Sequence, residues 1–398
     1  MAVPVTDSQQ NYLGEGRNCV RSSSGIPYVV LVSIDMAGYP IRVFKGNSTT
    51  PASFQQMDTQ YSPPTSSSSN TAKPSCAIDS TDVIHIVYAY NVGATPMIKY
   101  ITFNTNTDTF SAEENITGDT GNTLINSRSG CDISIDSNDI PHVVYIGIVS
   151  NMGTYYNTLY YTNKVGGSWK TGVEVYGETA KKNVWCPTIA IGKANMPLIG
   201  FSIYNSSTNK TWSFAAGNTN NSTSFEIIHF TNSYSVENNE YQSTIVNSAD
   251  GSVYFGYFAS TFYIHRHVHG YDWQTWVQIS VNGGFGTLAT DGSDLYYFFE
   301  DSNSDIAYNK YSGTWGSGSW SGPTVVETGT FRKVMTKHAY WVDNGSNGPL
   351  VTSKVPYIRL PLTEIDYVFS DETLTPDIHF NTLILVAPVA FIPRIILI

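Results

Sequence analysis

Four cysteines, Cys19, Cys76, Cys131 and Cys186, stand at nearly even intervals, and each opens the same pattern: an apolar run, a turn, and a second apolar run rich in tyrosine. The segments Cys76-Ala-Ile-Asp-Ser-Thr-Asp-Val-Ile-His-Ile-Val-Tyr88 and Cys131-Asp-Ile-Ser-Ile-Asp-Ser-Asn-Asp-Ile-Pro-His-Val-Val-Tyr145 are close copies, and a third runs from Cys186 to Phe201. Self-similarity at a fixed period of this size requires a repeat architecture. The pattern outlasts the cysteines, in Ser243 to Phe255, in Thr287 to Phe298, and in a degenerate unit from Phe331 to Val342. Anchors at 19, 76, 131, 186, 243, 288 and 335 lie 45 to 57 residues apart and predict seven units.

Each full unit carries two further strand-like runs. The third is aromatic, as in Ile98 to Phe103 and Thr158 to Thr162; the fourth begins at an aromatic and continues into β-branched residues, as in Trp169 to Val175 and Phe225 to Ile228. Four short strands per period of this length is the signature of a propeller blade. No stretch holds a 3.6-residue period, which excludes helix as a main element. The turns Asp-Ser-Thr-Asp, Asp-Ser-Asn-Asp and Ala-Asp-Gly-Ser use residues that tolerate left-handed backbone or cap their own chain, so they read as tight hairpins. The expectation is an all-β, seven-bladed propeller of four-stranded antiparallel blades in one domain, residues 1–380, with an apolar β tail at 381–398.

Only 13% of the residues are charged and the formal net charge is -11, so the surface is polar, weakly charged and acidic. That balance argues against a nucleic-acid backbone or an anionic membrane as partner. The tail from Phe380 to Ile398 is apolar, but Pro388, Pro393 and Arg394 interrupt it, and its clean runs fall short of the roughly 20 residues of a membrane span. Such a tail is expected either to complete the ring or to dock on another protein of an assembly. The start, Met1-Ala-Val-Pro-Val-Thr-Asp, has neither the basic nor the apolar region of a signal peptide, so the expectation is either release by another route, for example on a virus particle, or a leader already removed. The four cysteines occupy equivalent first-strand positions. Facing sheets lie about 10 Å apart, too far for a disulfide, so the cysteines are expected free and buried.

First strands line the channel of a propeller, and the loops leading into them gather at one mouth. Lys73, Arg128, Trp185, Glu240, Tyr241 and Arg332 fall there, joined by Tyr155 and Tyr156 from a loop between second and third strands. Aromatic faces stack on sugar rings and arginines hold carboxylates, so these eight are the candidate ligand-binding residues. No cofactor or metal set is expected. The repeats, with Ile-x-Asp turns, Tyr-rich second strands and a terminal Trp, resemble the sialidase-like group of propellers. That resemblance implies arginines around a sugar carboxylate, for which Arg17 or Arg21, Arg128 and Arg332 are available, and a Tyr241–Glu240 nucleophile pair. The Ser-x-Asp-x-Gly-x-Thr-Trp box of that group is absent here, which argues against sialidase catalysis.

Two histidine features remain. His85 and His142 occupy matching second-strand slots, the place where some propeller-shaped polysaccharide lyases carry a proton-abstracting His; Leu198 in the next unit argues for a packing position instead. His265, His267 and His269 alternate along one strand, and without ligand-spaced acids or cysteines they read as a polar stripe on an outer strand. The functional expectation is a non-enzymatic, extracellular propeller that recognises a host glycan, as on the surface of a virion or in a phage tail-fibre attachment protein. Its alternatives are a glycan-active enzyme, either a sialidase-like hydrolase or a polysaccharide lyase, and a purely structural assembly module.

Overall fold

The computed structural model describes residues 2–4, 11–12, 19–33, 41–48, 53–57, 74–90, 97–116, 130–151, 154–177, 183–206, 209–234, 243–247, 251–259, 261–268, 277–279, 283–290, 294–303, 305–327, 355–359 and 377–381. These form antiparallel sheets only; the single departure is a tight turn at Lys193–Asn195. Blades I to VI follow in chain order, each led by its expected first strand: Cys19–Arg21, Ser75–Ile78, Cys131–Ile135, Asn183–Ile191, Ser243–Asn247 and Gly283–Thr290. In blade III the order is Cys131–Ile135, Pro141–Asn151, Thr154–Asn163, Val173–Tyr176, each strand paired with the next.

The architecture is a six-bladed propeller among the described residues, one blade fewer than the sequence predicts. The expected seventh unit, Phe331 to Val342, lies outside them, and its sequence has no Gly, Pro, Asn, Asp or Ser to make the hairpin that defines every other unit. The strands further on, Val355–Arg359 and Asp377–Asn381, instead join Ala2–Pro4 in a three-stranded sheet with Asp377–Asn381 at its centre. Of the apolar tail, residues 382–398 fall outside the described residues.

Blades are held by side chains that both faces of each sheet send to their neighbours. On the second strand of blade III, Val143 and Tyr145 pack toward blade II, while Val144 and Ile146 pack toward blade IV. This is why the strands read as near-continuous apolar runs rather than as alternation: neither face sees water. Five such clusters join I to II, II to III, III to IV, IV to V and V to VI in sequence. Cys19, Cys76 and Cys131 are buried and form no disulfide, as expected, while the Cys186 side chain lies outside the described residues.

The hairpins between first and second strands add a polar belt. Asp82, Asp139 and Asn195 all take the left-handed backbone that this turn requires (φ 66, 60 and 60°). Each also accepts hydrogen bonds from the hairpin of the preceding blade. Ser23 donates its N–H and its hydroxyl to the two Asp82 carboxylate oxygens, both at 2.6 Å. Ser80 does the same to Asp139 at 2.8 and 2.5 Å, and Ser137 donates both groups to Asn195 Oδ1 at 3.2 and 2.8 Å. Three successive junctions thus share one staple. At the next junction Gly251, at φ 78°, faces Lys193, whose Cβ would stand 2.9 Å from any Cβ placed on the glycine.

A second tie crosses the channel wall. The innermost strand of a blade is an edge with unpaired backbone groups. Asp132, on that strand of blade III and almost wholly buried, takes the Ile189 N–H of blade IV at 2.9 Å and the Ser75 hydroxyl of blade II at 2.6 Å.

Candidate functional site

The mouth of the ring is best defined where blades III and IV meet. The hairpin after Pro141–Asn151 turns into Thr154–Asn163, so the backbone of Tyr155 and Tyr156 lies at the end of the blade away from the first hairpin. At the next residue, the Asn157 N–H donates to Asn183 Oδ1 of blade IV at 2.8 Å. Asn183 opens the strand that carries Trp185. One hydrogen bond therefore seats the Tyr155–Tyr156 segment beside the Trp185 segment.

Trp185 owes its position to a break in the ladder. Pro187 has no N–H to give, and the pairing with the second strand shifts register between Trp185 and Thr188. Trp185 remains half-buried, with its carbonyl accepting from the Ser202 hydroxyl at 3.4 Å and no hydrogen-bond partner on its buried indole N–H. Thr188, fully buried, likewise carries a hydroxyl with no partner. Of the eight candidates, the structure brings together Trp185, Tyr155 and Tyr156, the last two by backbone placement. Lys73, Arg128, Glu240, Tyr241 and Arg332 lie outside the described residues. Arg21, one option for a carboxylate-binding arginine, is buried at the hairpin end of its strand, opposite the mouth.

The two matching histidines sit at that same opposite end and are committed to internal partners. His85 Nε2 faces Asp79 Oδ2 at 3.0 Å and its Nδ1 faces the Tyr100 hydroxyl at 2.6 Å. In blade III His142 Nδ1 faces the Tyr161 hydroxyl at 2.6 Å, and its Nε2 meets Asp136 Oδ2 at 3.3 Å, an ion-pair distance off the ideal hydrogen-bond line. A carboxylate only accepts, so Nε2 carries the proton and the phenol donates to Nδ1. Burial alone would raise both carboxyls, yet the histidine and the turn N–H groups of Val83 and Ile140 outweigh it and hold them below the usual carboxylate range. Burial pushes both phenols above their usual range, so they are donors and not nucleophiles. The next blade caps each relay: Trp169 packs edge-on against Tyr100, and Asn221 Oδ1 accepts at 3.1 Å from the Asn163 amide, which also donates to the Tyr161 oxygen at 3.2 Å. The packing reading of His85 and His142 holds. Sequence reasoning missed the relay itself, although an Asp six residues before each His marks it.

The His-x-His strand is not an outer stripe. His265 is buried, stacked at 3.8 Å on Phe230 of blade IV, with Tyr257 beside both rings. The face on which these histidines alternate is an inter-blade face. His267 stacks on Phe214 at 6.2 Å, and His269 lies outside the described residues. No cluster of His, Cys, Asp or Glu fit for a metal ion occurs among the described residues, and no described helix is long and apolar enough to cross a membrane.

No protein-family model matches the chain, and no curated protein does. Solved structures do. The GH93 α-L-arabinofuranosidase of Fusarium graminearum, in complex with arabinobiose, is 10% identical with a TM-score of 0.51 over 82% of this chain and 97% of that one. Polysaccharide lyase Uly1 is 10% identical with a TM-score of 0.50 over 96% of this chain and 99% of that one. At this identity the likeness establishes the propeller fold.

Proposed function

We propose that the chain is an extracellular glycan-interacting propeller whose ligand meets the mouth at the junction of blades III and IV. The observation that carries this reading is the Asn157 to Asn183 hydrogen bond, which sets a half-buried tryptophan beside a Tyr-Tyr segment. A half-buried tryptophan with a flat apolar face is suited to stack on a sugar ring. The weakly charged, acidic composition favours a neutral saccharide over a polyanionic one. The two propellers similar in fold are a glycosidase and a polysaccharide lyase, which supports glycans as the ligand class and keeps a glycan-active enzyme as the second reading. A virion or phage setting and docking through the tail rest on the sequence alone.

A panel of neutral and acidic oligosaccharides, screened for binding and then for turnover, tests this. Binding without product supports recognition, product formation supports the enzyme, and silence in both defeats the glycan reading. The Asp–His–Tyr relays are predicted to take no part in turnover, since both histidines are buried and doubly committed.

A further inference from the structure

The junctions of the ring are not alike. From blade I to blade IV, hairpin staples, histidine relays and the Asp132 tie accompany the apolar packing. Between blades IV and V the contact is a field of packed rings: Trp212 stacked on Tyr257 at 5.7 Å, Phe214 tilted against Phe255 at 5.8 Å, and Phe230 stacked on His265 at 3.8 Å. His265 is the buried ring in that field able to gain a charge, whereas His267, against Phe214, is only half-buried. It sits where both blades would have to part to hydrate that charge.

We propose that the ring contains an acid-labile seam between blades IV and V, opened by protonation of His265, while blades I to IV stay joined. The titratable groups around His265 are few and placed. From the second strand of its own blade comes Tyr257, whose hydroxyl lies 3.3 Å from Nε2. Tyr263 stacks on Tyr257 along the same strand as His265, and His267, two residues on, stacks on Phe214. From blade IV, His229 turns away, to the Ser213 hydroxyl and Tyr176. Arg266 turns to the opposite face, where it bonds Ser252.

Burial lowers the imidazole to about 4 from an ordinary value near 6.5. A folded-state value below the unfolded one means that stability is intact above about pH 6.5 and is lost as pH falls toward 4. Working through that window, opening of the seam rises roughly 30-fold between pH 8 and pH 5.

Hydrogen exchange of the whole chain at pH 8 and pH 5, corrected for the intrinsic pH dependence of exchange, tests the seam. The expected result is a loss of protection of about 30-fold in Trp212–Tyr234 and Val253–His267, with Ser75–Tyr90 and Cys131–Ile146 unchanged. His265→Phe should abolish the pH effect; should that variant misfold, His265→Gln, neutral at both pH values, must do the same. Uniform loss across all blades, or an unchanged pH response in the folded variant, overturns the proposal.

Discussion

His142→Leu should be far more damaging than His142→Leu combined with Asp136→Ser, because what destabilises the single variant is the carboxylate left behind. Asp136 and His142 side chains are both fully buried. Removing the histidine takes away the Nε2–H that faces Oδ2 and leaves a buried carboxylate short of a donor, a cost of about 3 kcal/mol. The ring itself shows how to do without the pair. At the same positions blade IV carries Gly192 and Leu198, and blade I carries Ser22 and Tyr28. Ser22 Oγ still accepts the N–H four residues on, from Ile26 at 3.1 Å, as Asp136 Oδ1 accepts that of Ile140 at 2.9 Å. The double variant therefore keeps the turn cap, and the Tyr161 hydroxyl, released from the imidazole, can turn its proton to the Asn220 carbonyl 3.3 Å away. It should fall within about 1 to 2 kcal/mol of wild type, so the two changes couple favourably by about 2 kcal/mol or more. Urea unfolding at pH 7.5, followed by tryptophan fluorescence, measures all four species. If the costs of Asp136→Ser and His142→Leu simply add, the buried-pair account is wrong.

Further outcomes follow from other named contacts. Asp139→Gly keeps the left-handed backbone but removes both acceptors for Ser80; it should lower stability by about 1 kcal/mol, and Ser80→Ala should add nothing in that background. A Cβ on Gly200 would stand 2.2 Å from the buried Phe255 ring, so Gly200→Ala should cost about 1 to 3 kcal/mol by urea unfolding. The Asp79 and Asp136 carboxyls lie below their ordinary value in the folded chain, so their contribution is present above about pH 4 and fades as pH falls further. The urea midpoint of wild type should therefore drop more steeply below pH 4 than that of the Asp136→Ser, His142→Leu variant.

The blades were legible in the sequence because their requirements are local. A tight hairpin needs a residue that accepts positive φ, and Asp82, Asp139 and Asn195 stand where the turns demanded one. Both-sided burial needs uninterrupted apolar strands, and Val143 to Ile146 supplies one. What stayed hidden depends on partners distant in sequence. The staple from Ser80 to Asp139 joins two turns that look self-sufficient, each already explained by its own backbone. His265 alternates with His267 like a solvent-facing stripe, and only blade IV, through Phe230, makes that face an interior. The blade count failed at the unit whose hairpin residues are missing. At the mouth, loop position alone gathered Trp185, Tyr155 and Tyr156, whereas the direction of Trp185 depends on the register shift that Pro187 imposes.

The central claim, that the mouth at blades III and IV holds a saccharide, is tested most directly by calorimetric titration of wild type and Trp185→Ala with the best neutral oligosaccharide from the panel. The account predicts binding by wild type and at least about a tenfold loss in the variant, corresponding to about 1.4 kcal/mol, with the urea midpoint little changed. Equal affinity in a folded Trp185→Ala protein would contradict it.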